Sequence, residues 1–517
     1  MTIIRSRFAD VPIRDLTITQ RVFDGIDPGA VILIDGPGGR EITGAAFIDS
    51  VKALAGGLTA RGYAPGGCVA LMAPNLPEFC TVFHAVAWAG GTVTTVNPTY
   101  TASELHHQLT DAGADLLVTV APFLDTARAA VAGTGVREIL LIGPAQGDTP
   151  GIADFMAAPL ADQAPVDLDD HVVCLPYSSG TTGLSKGVML TQRNLCVNTD
   201  QSLAMAAIRP GERTIAFLPF FHIYGLQILM NVQIAAGGAL VTMPRFDLET
   251  FLSLCQQHRT PRLWIVPPVA LALAKHPLVD RFDLSFVQQI NSAAAPLGAD
   301  VAEAIATRLG TSVTQGYGMT ELSPTSHASP QGVGRRGASG QTLPNTACRI
   351  VDPATLQDRA PGEDGEIWIK GPQVMKGYLG NPAATAETIV QDGWLRTGDI
   401  GHFDADGYLY LTDRLKELIK VKGFQVAPAE LEALLLTHPA ITDAAVIGVA
   451  DPEAGEVPMA FIVAADPPSL TEVQAFLAPQ IAHYKQIRHL QTRDSIPKSA
   501  SGKILRRVLR AQMKATA

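Results

Sequence analysis

Between residues 43 and 142 the hydrophobic period of the chain switches repeatedly. After Thr43, whose side chain can cap a helix, Phe47, Val51, Leu54 and Leu58 recur at spacings of four, three and four, which is one face of a helix. CVALM (68–72) then reads as a buried strand, PEFCTVFHAVAWA as a helix and TVTTV (92–96) as another strand, with further short apolar runs at Leu116 to Val120 and Glu138 to Ile142. Strands that alternate with helices are expected to lie parallel in a sheet, joined by βαβ crossovers. The first half therefore reads as α/β.

The texture changes from about Gly334. RRGASGQTLPNTACRIVD, GEIWIKGP and GYLYLTD are short strand-like pieces separated by Gly, Pro and Asp turns, which predicts a small β-rich, barrel-like subdomain over about 334–413. Beyond Asp413 come PAELEALLLTHP, helical by period, the strand-like DAAVIGVAD and VPMAFIVAAD, and SLTEVQAFLAPQI, opened by a Ser469/Glu472 capping box. A chain of 517 residues exceeds what one core usually supports. The expected organisation is a large N-terminal domain, 1–413, built of βαβ subdomains plus the β-rich piece, and a small, mobile α+β C-terminal domain, 414–517, with a hinge near Leu415 and Lys416.

Residues 177–191 read YSSGTTGLSKGVMLT. Gly183, Ser185 and Gly187 spell the G-x-S-x-G of a serine-hydrolase elbow, while the Ser, Thr and Gly packed around Lys186 suggest an anion-binding loop. An elbow does not require a lysine beside its serine or Gly180 with two threonines upstream. A Walker A loop requires Gly-Lys-[Ser/Thr], but Lys186 lies between Ser185 and Gly187, and Gly502-Lys503 precedes Ile504. Successive glycines let backbone N–H groups converge, hydroxyls add donors and a lysine adds charge, so the stretch reads as a phosphate cradle. The strand-like HVVCLPY before it argues against a flexible linker. A net charge of −10 speaks against a nucleic-acid partner. Cys68, Cys80, Cys174, Cys196, Cys255 and Cys348 show no C-x-x-C pair and no zinc spacing, so reduced thiols and a cytoplasmic location are expected. MTIIRSRFAD lacks the apolar core of a signal peptide, no run has the length of a membrane span, and the final Ala515-Thr516-Ala517 is not a peroxisomal address.

Five blocks in order carry a resemblance: YSSGTTGLSKGV; QGYGMTE (315–321); GWLRTGD (393–399); DRLKELIKVKGFQVAPAELE (413–432); and PKSASGKILRR (497–507). Together they resemble the adenylate-forming acyl-CoA synthetase and luciferase superfamily, nearest to its 4-coumarate:CoA ligase subgroup, over almost the whole chain from NPTYTASEL at 97. The resemblance implies that a carboxylate attacks the α-phosphate of ATP to give an acyl-adenylate and pyrophosphate, after which the thiol of coenzyme A displaces AMP. A carboxylic acid with a pKa of about 4 is already ionised at neutral pH, so the first step needs positive charge and donors rather than a base.

By the same resemblance Ser178, Ser179, Gly180, Thr181, Thr182 and Lys186 would hold the β- and γ-phosphates. Gln315 and Gly316 would line the nucleotide site, Tyr317 would stack on adenine, Thr320 would touch the α-phosphate and Glu321 would hold Mg²⁺. Asp399 would accept the ribose hydroxyls with help from Arg414, and Lys503 would bridge the carboxylate and the α-phosphate. Lys416 would be the hinge. Lys420, Lys422 and Gly423 would form the face that replaces Lys503 when the small domain rotates and opens a tunnel for coenzyme A. The acyl group would meet His222, Tyr224 and Ile228, then Ala293, Ala294, Gly318, Met319 and Pro324, with Lys420 and Gln425 from the small domain. His222 is the implied gate and, with Thr320 and Lys503, one of the three candidate catalytic residues. Arg506, Arg507 and Arg510 read as a solvated basic face.

Amino-acid-activating relatives would carry an Asp near His222 to pair the substrate amine; aromatics and His222 stand here instead, favouring an uncharged acyl group. Two departures from the plant pattern, SAAAPLG (292–298) for S-G-A-A-P-L-G and the bulky Ile228, bear on which acid fits. The expected substrates are a hydroxycinnamate such as 4-coumarate or a similar apolar acid, with ATP, Mg²⁺ and coenzyme A, on a monomer or homodimer without stable membrane association. Alternatives are a medium-chain fatty-acid CoA ligase, a luciferase-like oxygenase, and an adenylation enzyme that loads a carrier protein, the last disfavoured because no carrier-like domain follows residue 517.

Overall fold

The computed structural model describes residues 3–178, 185–422, 424–499 and 502–516. Thr43 does cap its helix: its hydroxyl accepts from the Ala46 N–H at 3.3 Å and opens α1 (Gly44–Ala60), whose Phe47, Val51, Leu54 and Leu58 are all buried. Strands β1 (Cys68–Met72), β2 (Thr92–Thr95), β3 (Leu116–Thr119) and β4 (Glu138–Leu141) run parallel, with the almost wholly buried helix α2 (Pro77–Trp88) crossing between β1 and β2. Strand β5 (Val172–Cys174) continues the sheet parallel to β2. The hairpin partners β6 (Tyr177–Ser178) and β7 (Lys186–Thr191) then reverse direction and lead into α3 (Gln192–Ala206). A second sheet is entirely parallel: β8 (Arg262–Ile265), β9 (Gln289–Ser292) and β10 (Ser312–Gln315) lie in register, so that Arg262, Gln289 and Ser312 share one end and Ile265, Ser292 and Gln315 the other.

The β-rich part is an antiparallel six-stranded sheet whose main strands are β11 (Ala347–Val351), β12 (Gly365–Lys370), β13 (Trp394–Phe403) and β14 (Leu409–Arg414). Its outer edge is covered by Ile4–Arg5 from the N-terminus, a two-residue pairing with no period to betray it in the sequence. Beyond β14 come β15 (Ile419–Val421), α4 (Pro428–Leu435), the long hairpin β16 (Asp443–Asp451) and β17 (Gly455–Val463), α5 (Leu470–Leu477) and α6 (Arg506–Thr516). The Ser469/Glu472 capping box is formed, with Ser469 N–H donating to the Glu472 carboxylate at 2.7 Å. Ile419, Val426, Leu431, Val446, Ile462 and Leu477 make a core of their own here. A smaller cluster of Ile400, Leu418 and Ala427, flanked by Leu415, joins this part to β13. Among the described residues no helix is long and apolar enough to cross a membrane, and all six cysteines are unpaired.

Candidate active site

The sheets and the small C-terminal part meet around one cavity of about 640 Å³. It opens beyond the C-terminal ends of β8, β9 and β10, where the loops leaving a parallel sheet characteristically gather ligand-binding groups. The β6/β7 hairpin, the end of β14 and the turn at Ser499 to Lys503 complete its wall.

Ser178 and Lys186 face one another across the hairpin, whose register pairs them, and both reach the cavity. Ser179, Gly180, Thr181 and Thr182 lie outside the described residues. The Lys186 ammonium sits 4.8 Å from the centroid of the Tyr378 ring, and the Tyr378 hydroxyl donates to Glu321 Oε1 at 2.8 Å. Glu321 is buried on the cavity wall and has acceptor capacity beyond that one bond. Among the described residues no group of three or more His, Cys, Asp or Glu could cage a metal. A single carboxylate on a cavity wall shared with Lys186 fits Mg²⁺, which binds through one or two carboxylates plus substrate phosphates.

Gly318 shows why this loop is glycine-rich: a Cβ there would lie 2.1 Å from the Pro324 carbonyl oxygen, so only glycine allows the two strands of backbone to pass. Gly316, Tyr317 and Thr320 line the cavity. Gln315 does not; it is buried, and its side-chain oxygen accepts the Leu297 N–H at 2.8 Å, so it braces the loop from behind. The Tyr317 hydroxyl donates to Asp399 Oδ2 at 2.7 Å, and Arg414 Nε lies 3.2 Å from Asp399 Oδ1, a pairing set by the β13/β14 register that puts Asp399 opposite Arg414. Asp399 lies behind the wall formed by Thr397, Gly398 and Arg414. A carboxylate offers about four lone-pair sites, so acceptor capacity remains beyond the Tyr317 bond and the Arg414 ion pair.

Lys503 is presented by a tight turn. The Ser499 N–H donates to the Lys503 carbonyl at 2.8 Å, the Lys503 N–H donates to Ser499 Oγ at 3.1 Å, and Gly502 takes a φ of +80°. The turn seats on Val266 and Pro268, just past β8. Burial, and after it the Arg414 guanidinium, push the Lys503 ammonium down to about 8, against the opposing pull of Asp399. An anion arriving beside Lys503 would relieve this penalty. His222 is pushed down to about 4, first by burial and then by Lys503, so its ring is neutral at physiological pH. Its Nδ1 accepts the Tyr224 N–H at 3.3 Å. Because kcat/KM reports the free enzyme, adenylation should be flat from pH 6 to 7.5 and fall above about pH 8 as Lys503 loses its proton. A pH profile of ATP–pyrophosphate exchange checks this, and a rate still climbing through pH 9 would contradict it.

The remaining wall is the arm that leaves Lys503 past His222, Tyr224 and Ile228. Tyr224 opens a nine-residue π-helix, Tyr224–Val232, a wide helical form frequent at functional sites. Ala293, Ala294, Gly318, Met319 and Pro324 line the same cavity. Ala294 holds a φ of +74°, a left-handed conformation that strains any residue with a Cβ. Ala293 is not in that region and carries its methyl without strain.

Lys416 reaches the cavity edge, but Lys420, Gln425 and Lys422 are not on the cavity. Lys420 pairs with Gln425 at the edge of the C-terminal sheet, both side chains exposed, and Lys422 takes a left-handed φ of +50°. Gly423 lies outside the described residues. A small unit that presents the Ser499–Lys503 turn to the cavity cannot present this sheet edge there too. The basic segment after Lys503 is not a simple solvated face. Arg506 forms a buried ion pair with Glu432 at 2.7 Å and donates to the Val446 carbonyl, and Arg510 pairs at 2.6 Å with Glu417, next to Lys416. These pairs tie the helix behind Lys503 to the junction.

The profile of the AMP-binding enzyme family matches residues 25–379, more than half of the chain, and that of the AMP-binding enzyme C-terminal domain matches residues 430–503. The chain belongs to the AMP-binding enzyme family. It is 40% identical to 4-coumarate–CoA ligase 3 of Oryza sativa subsp. japonica, covering 100% of this chain and 96% of that protein. It is also 40% identical to 4-coumarate–CoA ligase 2 of Petroselinum crispum, covering 99% and 97%. Among solved structures, ATP-bound MatB from Rhodopseudomonas palustris superimposes with a TM-score of 0.89 at 30% identity, over 96% of this chain and 99% of that one. The anthranilate CoA ligase AuaEII in complex with anthranoyl-AMP gives 0.91 at 25% identity, over 98% of each. This member of the AMP-binding family is an ATP-dependent, AMP-forming acid:CoA ligase that works through an acyl-adenylate.

Proposed function

We propose that the acid is a hydroxycinnamate, such as 4-coumarate, or a close aryl analogue. The observation that carries this reading is a single cavity that joins Ser178 and Lys186, Tyr317 and Arg414, and Lys503 to an arm walled by His222, Tyr224, Ile228, Ala293 and Met319. Flat aromatic and small apolar walls suit a planar, uncharged acyl group, and neutral His222 at the neck adds no charge there.

In this reading an oxygen of the substrate carboxylate attacks the α-phosphorus of ATP and pyrophosphate leaves. Lys503 lies between the two anions and compensates the charge that develops, Thr320 donates to the α-phosphate, and Lys186 with Ser178 holds the phosphates that depart. Glu321 would hold Mg²⁺, which supplies charge neutralisation along the phosphate chain. Asp399 accepts from the ribose hydroxyls while Arg414 and Tyr317 keep it oriented. In the second step the thiol sulfur of coenzyme A attacks the acyl carbon, the thiol proton is released, and AMP leaves with one oxygen that began in the carboxylate. Residues 414–517 act as a lid that turns about Lys416, withdrawing Lys503 and bringing Lys420, Lys422 and Gly423 to the site. Six unpaired cysteines support a cytoplasmic location.

ATP–pyrophosphate exchange with a panel of aryl-propenoic, benzoic, medium-chain alkyl and amino acids tests the substrate. Exchange should be strongest with the aryl-propenoic acids. Strongest exchange with an alkyl or amino acid would refute the reading.

A further inference from the structure

Away from the active-site cavity the chain gathers positive charge that the ligase reaction does not use. A second pocket, of about 370 Å³, is walled by Arg209, Glu212, Arg213, His258, Arg259 and Gln288. The strands fix where it lies. Gln288 immediately precedes β9, and Pro261, on the same wall, immediately precedes β8, so the pocket sits at the N-terminal ends of strands whose C-terminal ends open onto the active site. Arg213 opens the strand Arg213–Ala216, and Arg259 follows directly on the helix Leu248–His258.

Glu212 is the one carboxylate on this wall, and its charge is spent inward. Its Oε1 accepts from Arg262 Nε at 3.1 Å, an ion pair whose two side chains are both nearly fully buried, and its Oε2 accepts the Arg209 backbone N–H at 3.4 Å. Among the described residues, none of the Arg209, Arg213 and Arg259 guanidinium groups forms an ion pair. Arg213 instead donates through Nη1 to His258 Nδ1 at 3.1 Å, and Arg259 lies 5.1 Å from the centroid of the Phe286 ring. A guanidinium can only donate, so His258 Nδ1 is the acceptor and the ring carries its proton on Nε2. Burial, and after it Arg213, push the His258 pKa below its ordinary value, which leaves the ring neutral and adds a donor to the pocket rather than a fourth charge.

In a chain of net charge −10, three uncompensated guanidinium groups around one pocket are not a by-product of composition. They repel one another until an anion joins them. Guanidinium groups grip phosphate oxygens two at a time, so three of them match the several oxygens of a diphosphate better than the single charge of a carboxylate. The volume falls within the range of small-molecule sites. We propose that this pocket binds a diphosphate, either free pyrophosphate or the diphosphate group of a nucleotide, at a site separate from the phosphate cradle at Lys186.

The test is pyrophosphate binding followed by calorimetry at low salt. Lys186→Ala weakens the cradle in the active site, so the binding that remains in that variant reports the pocket. Arg209→Gln/Arg259→Gln, at two exposed positions, is expected to weaken this remaining binding by about tenfold or more, because charge-assisted hydrogen bonds are lost. In the otherwise wild-type chain the same two changes should leave acid-dependent ATP–pyrophosphate exchange within about twofold, as surface substitutions do. Remaining binding that is unaltered by the two changes, the absence of any binding in Lys186→Ala, or a loss of exchange along with binding would overturn the site. Titrations with ADP and with inorganic phosphate, each scored as the binding lost on changing Arg209 and Arg259, identify the source. A larger loss for ADP than for pyrophosphate supports the site as one for a nucleotide, and the reverse supports the free anion. Inorganic phosphate binding as tightly as either would overturn the diphosphate assignment.

Discussion

Lys503→Ala is expected to slow adenylate formation by roughly 10²- to 10³-fold, the usual cost of losing one donor aimed at developing charge, while thioester formation from supplied acyl-adenylate persists. The turn at Ser499 to Lys503 places this ammonium inside the cavity, beside His222 and Arg414. It is the charge best placed to meet a carboxylate approaching a polyphosphate. Because Lys503 is held near pKa 8 by burial and by Arg414, removing it also relieves a desolvation penalty, so the variant should fold at least as well as the wild type. Its defect would then be chemical. The two half-reactions are read separately, by ATP–pyrophosphate exchange and by coenzyme A consumption from acyl-adenylate. Loss of both would mean that Lys503 serves the second step too, and the exchange of Lys503 for the Lys420–Gly423 face would be wrong.

The second large effect is expected at Asp399. Its carboxylate already accepts from the Tyr317 hydroxyl and forms an ion pair with Arg414, and only its remaining lone pairs can take a ribose. Asp399→Ala should raise KM for ATP by roughly 10²-fold or more, since hydrogen bonds to a charged acceptor contribute about 1.5–3 kcal/mol each. KM for the acid should change little, because Asp399 is not among the residues that line the acyl part of the cavity. Arg414 retains partial access to water, so the melting temperature should fall by only a few degrees. Equal rises in KM for ATP and for the acid would show that the substitution disturbs the whole cavity rather than the nucleotide end.

Much of this architecture is visible in the residues because it is local. The helix capped by Thr43 and the strand CVALM declare themselves by period, and the Ser469/Glu472 box is written in adjacent positions. The stretch around Lys186 reads as a cradle by composition alone, and of its residues Ser178 and Lys186 are placed on the cavity. What stayed hidden depends on partners far apart in the chain. Glu432 and Arg506 are 74 positions apart, and Glu417 and Arg510 are 93, so a segment that reads as a basic face turns out to be anchored. The Ile4–Arg5 strand has no pattern of its own and exists only because β11 offers an edge. Lys420 and Gln425 stand in a motif that the sequence places at the site, yet they lie off the cavity, because one face of a small unit excludes another.

The most direct test follows the oxygen atoms. The enzyme is incubated with ATP, Mg²⁺, coenzyme A and 4-coumarate labelled with ¹⁸O in both carboxylate positions, and the products are weighed by mass spectrometry. Attack of the carboxylate on the α-phosphorus predicts hydroxycinnamoyl-CoA with one ¹⁸O, AMP with one ¹⁸O, and unlabelled pyrophosphate. Label in phosphate or pyrophosphate, or ADP in place of AMP, would contradict an acyl-adenylate formed at Lys503.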